Sequence, residues 1–199
     1  MKTPALLLYN REKSLMENLM NTEEEILEKE DNAKQSVKDD AKSILKFALW
    51  LILFVVAFKL VFIQARIMSG SMEPTLMTGD RALFNRLAYT FGEPERGDII
   101  LFKSDEFGQN FTKRIIGLPG DVITFSDGQV YVNSEVLSET YLEEGVYSIS
   151  DKTFEVPEGS YFLLGDNRGN SNDSRFWTDP YIPKNKIYGR YLITIWHKR

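Results

Sequence analysis

The chain has 199 residues, of which 43% are apolar, a formal net charge of −5 and no cysteine. This length fits one domain of ordinary size with an appendage, and the apolar content suffices for a core. Without a basic excess, the composition gives no support to a nucleic-acid partner. Without cysteine, disulfides, thiolate catalysis and cysteine-containing zinc sites are excluded, and we predict neither a metal nor another cofactor.

Residues 1–43 form a polar arm that carries seven basic and ten acidic residues. Its apolar side chains are too sparse to bury a core, although four of them fit one face of a short helix: Leu15, Leu19, Ile26 and Leu27. We therefore expect this arm to be disordered or a solvated helix. A helix that binds a partner protein is the alternative.

Residues 44–63 predict a transmembrane helix. Eighteen of these twenty residues are apolar, and the exceptions, Lys46 and Lys59, lie near the two ends. A buried core helix is the alternative, but such a helix in a soluble domain needs a polar face that this segment lacks.

Basic residues on either side of the span predict its orientation. Four lysines precede or begin it, at positions 34, 38, 42 and 46, whereas Arg66 and Arg81 follow at a similar distance. Positive charge is retained on the cytoplasmic side of a membrane helix. We expect the N-terminus in the cytoplasm and residues 64–199 outside.

The predicted outer domain, residues 64–199, has the pattern of a mainly β fold with antiparallel sheets. A continuous apolar run at 99–102 indicates a strand buried on both faces, and Asp127-Gly128 predicts a hairpin turn. The other predicted strands are 122–125, 130–132, 161–164 and 191–196. Helix-length amphipathic patterns are hard to find after residue 91.

The segment SGSMEPTL, residues 69–76, places a candidate nucleophile, Ser71, a few residues beyond the membrane span. A serine hydroxyl is a weak nucleophile and needs a neighbouring base. The only histidine is His197, near the C-terminus, and we interpret it as part of a solvent-facing tail. A lysine serves instead when burial lowers its pKa.

Lys113 is the best candidate for this base. It lies in FTKRIIGLPGD, residues 111–121, among apolar residues. In a strand Lys113 and Arg114 point to opposite faces, so one of the two must face inward. The inward side chain needs either a carboxylate or loss of its proton.

Residues 44–199 resemble the type I signal peptidases of the bacterial, serine-lysine kind, in their short Gram-positive-like form. The resemblance is carried by four motifs in the family's order: SGSMEPTLMTGD at 69–80, RGDIILFK at 96–103, KRIIGLPGD at 113–121 and GDNRGNSNDSR at 165–175. It implies an antiparallel β-sheet catalytic domain tethered by one transmembrane helix.

The resemblance also implies the site residues. Ser71 is the expected nucleophile and Lys113 the general base. The backbone N–H of Ser71 and the hydroxyl of Ser69 are expected to form the oxyanion hole, and Ser171 to orient the lysine. Two charge pairs, Arg114 with Asp166 and Asp173 with Arg175, are expected to hold the two strands of the site together.

The implied activity is removal of N-terminal signal peptides from exported preproteins, after small residues at −1 and −3. The cleavage region would add as an extended strand. By adjacency alone, the pocket walls are predicted to include Ile67, Met68, Met72 and Thr112. The implied partners are secretory preproteins and the lipid bilayer, for a monomer near the Sec or Tat export pathway.

Two features depart from the family pattern. Met68 stands where a proline often precedes the first serine of the motif, which predicts a less rigid local backbone. The 43 residues between Asp121 and Gly165 leave room only for a small inserted β domain.

Two other functions remain open. Self-cleaving regulators of the repressor type use the same dyad, but they are soluble and carry a DNA-binding arm. A non-catalytic, membrane-tethered β module that binds envelope proteins would not need Ser71 and Lys113 together.

Overall fold

The structure is a computed structural model that describes residues 4–197. The first three residues of the predicted arm and the last two of the predicted outer domain therefore lie outside the described residues. The chain divides into two compact units, Met1–Val56 and Ala57–Arg199.

The N-terminal part is a single helix, α1 (Pro4–Val61). In the arm, Lys29 donates to Glu25 at 2.6 Å. Both side chains are exposed and lie one helical turn apart, so this pair stabilises the helix by only about 0.3–0.5 kcal/mol. Among the described helices, one, over Leu15–Val61, is long and apolar enough to cross a membrane. The helix ends two residues before the predicted span does, because Phe62 begins a strand.

Eleven strands follow among the described residues: β1 (Phe62–Arg66), β2 (Arg81–Asn85), β3 (Ile99–Lys103), β4 (Asn110–Gly117), β5 (Val122–Ser126), β6 (Gln129–Val132), β7 (Glu135–Val136), β8 (Phe154–Glu155), β9 (Ser160–Leu164), β10 (Tyr181–Pro183) and β11 (Ile187–Trp196). They form a seven-stranded sheet in the order β1-β2-β11-β3-β4-β9-β10 and a four-stranded sheet in the order β7-β6-β5-β8. The described pairings are antiparallel, which confirms the predicted fold class.

The smaller sheet is inserted between β4 and β9 in the sequence and matches the small inserted β domain expected there. Its inner residues, such as Ile123 and Phe154, pack in one core with Ile116 of β4 and Phe162 of β9. The two sheets therefore share buried apolar surface, which stabilises the domain at about 25 cal/mol for each Å² buried.

A second core lies beneath the segment that follows β1. Met72 and Leu76, with 1% and 0% of their surfaces exposed, pack there with Ile67 and Phe84. This segment has no strand ladder of its own, and these apolar anchors, together with isolated hydrogen bonds such as that between the Ile67 N–H and the Asp80 carbonyl, fix its path.

Candidate active site

Ser71 lies in a single 3-10 turn, Gly70–Met72, and only 8% of it is exposed. The neighbouring Met72 is anchored in the core, and Asn167 holds the turn from the other side. The backbone N–H of Asn167 donates to the Ser71 carbonyl at 3.1 Å, and the side-chain amide of Asn167 donates to the Gly70 carbonyl at 3.0 Å. The candidate nucleophile is thus fixed through its own backbone.

Ser69 precedes the turn in an extended conformation, with φ −141° and ψ 157°. Its hydroxyl oxygen lies 3.4 Å from that of Ser71. A second hydroxyl is therefore adjacent to the point where Ser71 would attack.

Lys113 is buried in β4, with 1% of its surface exposed, and its Nζ donates to Ser171 Oγ at 3.0 Å. Burial lowers the pKa of this lysine from 10.5 to about 8; the carboxylates of Asp173 and Asp166 act in the opposite direction, and Arg175 adds to the lowering. Its partner is a hydroxyl, which binds a neutral amine without requiring a positive charge. Lys113 can therefore exist as a free amine in mildly alkaline solution.

The elements that carry these residues pack together. The Ser71 turn contacts β4, and it also contacts the 3-10 turn Arg168–Asn170 that precedes Ser171. Gly165 sits where these segments meet, because an added Cβ would overlap the Ser71 carbonyl oxygen and lie 2.7 Å from Ser171 Cβ. Only glycine permits this approach.

Arg114, the neighbour of Lys113, is buried as well, so the structure places both cations of the pair inside the protein. Its Nε and one terminal nitrogen donate to the two carboxylate oxygens of Asp166, at 2.8 and 2.6 Å. Thr75 donates to the same carboxylate at 2.5 Å. This pair joins β4 to the segment after β9.

The pair of Asp173 and Arg175 has a different geometry. The two residues are two positions apart, and the arginine donates to both carboxylate oxygens at 2.8 and 2.9 Å. Asp173 also accepts the Gly165 N–H at 3.1 Å. The pair therefore closes the 165–175 segment on itself, whereas the resemblance led us to expect it to join two strands.

A cleft of about 480 Å³ lies beside Ser71. All four predicted wall residues line it, together with others that sequence adjacency did not indicate: Ile63, Gln64, Ala65, Arg66, Leu101, Gln109, Asn110 and Phe111. Ile67 and Met72 contribute to the core as well as to the cleft, while Met68 is 77% exposed. The cleft thus has a partly buried apolar wall and an exposed rim.

Two supporting residues, Thr75 and Asn167, were not predicted. Both lie inside the motifs that carry the family resemblance, and this position was the only signal in the sequence that could have indicated them. His197 has an exposed side chain whose Nδ1 lies 3.1 Å from Asp80. In the part of the chain that the structure describes, no three His, Asp or Glu side chains form a metal-binding group.

Comparison with known proteins identifies the family of the chain. The family model described as signal peptidase, peptidase S26, matches residues 41–196. "Probable signal peptidase I-2" of Synechocystis is 39% identical over 153 residues, covering 73% of this chain and 68% of that protein. "Signal peptidase I" of Bacillus licheniformis is 39% identical over 157 residues, covering 74% and 83%.

"Signal peptidase I" of Pseudomonas aeruginosa is 36% identical over 163 residues, covering 61% of this chain and 57% of that protein. The matched segments thus cover between 57% and 83% of the lengths of these three relatives. The chain belongs to the signal peptidase family, peptidase S26, and is a signal-peptide-removing serine peptidase.

Proposed function

We propose that this signal-peptide-removing serine peptidase uses Ser71 as its nucleophile and Lys113 as its general base. The observation that carries the proposal is the environment of the lysine. Its buried amine meets the hydroxyl of Ser171 at 3.0 Å, and burial brings its pKa to about 8. A carboxylate in the position of Ser171 would keep the amine charged and unable to accept a proton.

The roles follow from ordinary acyl-transfer chemistry. Neutral Lys113 takes the hydroxyl proton of Ser71 as the oxygen attacks the scissile carbonyl carbon. The backbone N–H of Ser71 and the hydroxyl of Ser69 stabilise the oxyanion, a contribution of about 3 kcal/mol for one donor. Protonated Lys113 then donates its proton to the leaving amine. The neutral amine that this step regenerates takes a proton from the water that attacks and releases the acyl group.

The substrate proposal rests on an open strand edge beside the cleft. β9 pairs with β4 only from Arg114 onward, while residues 110–112 of β4 line the cleft. The cleavage region of a preprotein would add here as an extended strand, with small residues at −1 and −3 directed at Ile67, Met68, Met72 and Thr112. This geometry supports the proposal of cleavage after Ala-x-Ala.

The apolar helix and the family together indicate membrane anchoring. We propose residues 44–61, the apolar part of α1, as the single transmembrane span, with the arm 1–43 in the cytoplasm and the strands from Phe62 onward outside. The supporting observation is the cluster of lysines at and before the start of the span. The enzyme would act as a monomer in the bilayer, close to the Sec or Tat export pathway.

The test uses the purified full chain in lipid or detergent with a preprotein that has an Ala-x-Ala site. Wild type is compared with Ser71→Ala and Lys113→Ala, and mass spectrometry locates the cut. We expect cleavage after the second alanine by wild type and loss in both variants. No cleavage by folded wild type would favour the non-catalytic tethered module, and cleavage within its own chain alone would favour a self-cleaving regulator.

A further inference from the structure

Glu139 lies outside the recognised motifs, in the connection between β7 and β8 of the smaller sheet, yet it binds a residue of the last motif. Two nitrogens of Arg168 donate to its carboxylate, one of them to Oε2 at 2.8 Å and the other to Oε1. The arginine side chain is fully buried, and 11% of the glutamate side chain is exposed. A buried arginine with two bonds to one carboxylate is held in a defined orientation.

Arg168 connects this carboxylate to the segment that carries Ser171. Its Nε donates to the Gly165 carbonyl at 3.0 Å, and its own carbonyl accepts a bond from Arg175 at 2.7 Å. Gly165 is the residue packed against Ser71 and Ser171. The position of Arg168 therefore sets the path of the chain immediately before the hydroxyl that faces Lys113.

A second route leads from Glu139 to the strand of the lysine. Tyr141 donates its hydroxyl to Glu139 at 2.6 Å, and its ring lies 3.8 Å from the guanidinium carbon of Arg114. Burial, reinforced by the adjacent carboxylate, raises the pKa of Tyr141, so the phenol stays protonated as a donor. The stacked guanidinium belongs to the residue next to Lys113.

We infer that Glu139 is a positioning residue for the peptidase reaction: through Arg168 and through Tyr141 it holds the Ser171 segment against the buried amine of Lys113. The inference rests on the proposed roles of Lys113 and Ser171. The connection between β7 and β8 of the smaller sheet would then help to determine the geometry of the active site. Without Glu139, Arg168 would be left as a buried cation lacking its counter-charge, which the surrounding chain could relieve only by moving.

The charged groups that act on Lys113 are Asp173, Arg175 and Asp166, and its hydrogen-bond partner is Ser171. Glu139 is not among them, so it influences the amine through geometry. If the segment loosens, water reaches the amine and its pKa moves back towards 10.5. A rise in the pH midpoint of activity is the signature of this effect.

The experiment measures kcat/KM from pH 6 to 10.5 for the full chain in detergent. The variants are Glu139→Gln, Glu139→Ala and, as a matched control in the same connection, the exposed Glu144→Gln. At pH 8 we expect Glu139→Ala to lose on the order of tenfold to a hundredfold, as for a displacement of about 1 Å, and Glu139→Gln to lose less. Both should raise the pH midpoint, while Glu144→Gln matches wild type.

An unchanged midpoint, with activity lowered only in proportion to the folded fraction, would overturn the inference. Near-UV circular dichroism gives the folded fraction, and Glu139→Gln keeps the size of the side chain should the alanine variant unfold. Arg168→Lys combined with Glu139→Ala should cost less than the sum of the two single changes. Full additivity would contradict coupling through this pair.

The two proposals fail differently. If Lys113→Ala retains cleavage, the proposed base is wrong whatever Glu139 does. If Lys113→Ala is inactive but Glu139→Ala keeps the wild-type rate and midpoint, only the positioning role is wrong.

Discussion

Lys113 and Arg114 are adjacent in β4, yet the amine of the first meets a hydroxyl and the guanidinium of the second meets a carboxylate. The difference matters because the two cations have different chemistry. Arginine keeps its proton at every accessible pH and is stabilised by Asp166, whereas a buried lysine without a carboxylate partner at hydrogen-bond distance can lose its proton. Alternation along one strand thus separates a structural cation from a candidate base.

Lys113→Arg should abolish cleavage and leave the fold intact. The guanidinium cannot accept the proton of Ser71, and loss of a general base costs on the order of a hundredfold to ten-thousandfold. Initial rates on the preprotein would be measured beside near-UV circular dichroism. Lys113→Met, which adds no bulk, is the control for steric effects, and appreciable turnover by either folded variant would remove Lys113 from the base role.

The rate should rise with pH. Lys113 has its pKa lowered from 10.5 to about 8, and the active form is the neutral amine, so kcat/KM increases through pH 8 and levels off above it. A pH–rate profile between 6 and 10 checks this. A flat profile across that range would exclude a lysine base with this pKa.

Gly165→Ala should impair both stability and activity, because the new methyl group would overlap the Ser71 carbonyl and press on Ser171. Overpacking of this kind costs roughly 1–3 kcal/mol. Gly169→Ala is the matched control, since an added Cβ there meets nothing within 4 Å. Thermal unfolding and cleavage rates of the two variants provide the comparison, and equal behaviour would contradict the close approach.

Asp166→Asn should destabilise the domain by about 3–5 kcal/mol, because it leaves the Arg114 guanidinium buried without a counter-charge. The exposed pair of Lys186 and Asp105 provides the contrast, and Lys186→Ala should cost no more than about 1 kcal/mol. Urea unfolding would measure both. A loss below 1 kcal/mol in Asp166→Asn would show that the pair is not needed for stability.

The proposed orientation can be tested by labelling, because the chain has no cysteine of its own. Single cysteines would be placed in the arm, Glu28→Cys, and in the proposed outer domain, Glu144→Cys. A maleimide that cannot cross membranes should modify only position 144 in intact cells and both positions after permeabilisation. Labelling at position 28 in intact cells would show that the arm lies outside and would contradict the proposed orientation.

Sequence patterns predicted the strands whose surroundings are simple. The apolar run of β3 was recognisable because both of its faces are buried, and the hairpin of β5 and β6 because Asp127-Gly128 marks its turn. β1 was not recognised, since Phe62 and Ile63 continue the apolar run of the membrane span. β11 begins at Ile187, four residues before its predicted start, because it pairs with β3 across a bulge.

In the candidate site, sequence motifs predicted the functional side chains, whereas contacts between residues far apart in the sequence determine the surroundings of these side chains. The bond between Thr75 and Asp166 joins residues 91 positions apart, and the one between Arg168 and Glu139 joins residues 29 apart. Glu139 lies in no periodic pattern and in no motif. Glu139 becomes a partner of Arg168 only in the folded protein, where the connection between β7 and β8 lies against the last motif.

The partial pairing of β4 with β9 also bears on how many different preproteins one such enzyme can serve. A guest strand that adds to the open edge of β4 would be held by its main chain, which is the same in every sequence. Every second side chain of the guest strand would face away from the cleft, so the enzyme would not discriminate at those positions. Discrimination would then fall on very few positions, so unrelated exported proteins could share one processing enzyme while the rest of their leader sequences diverge.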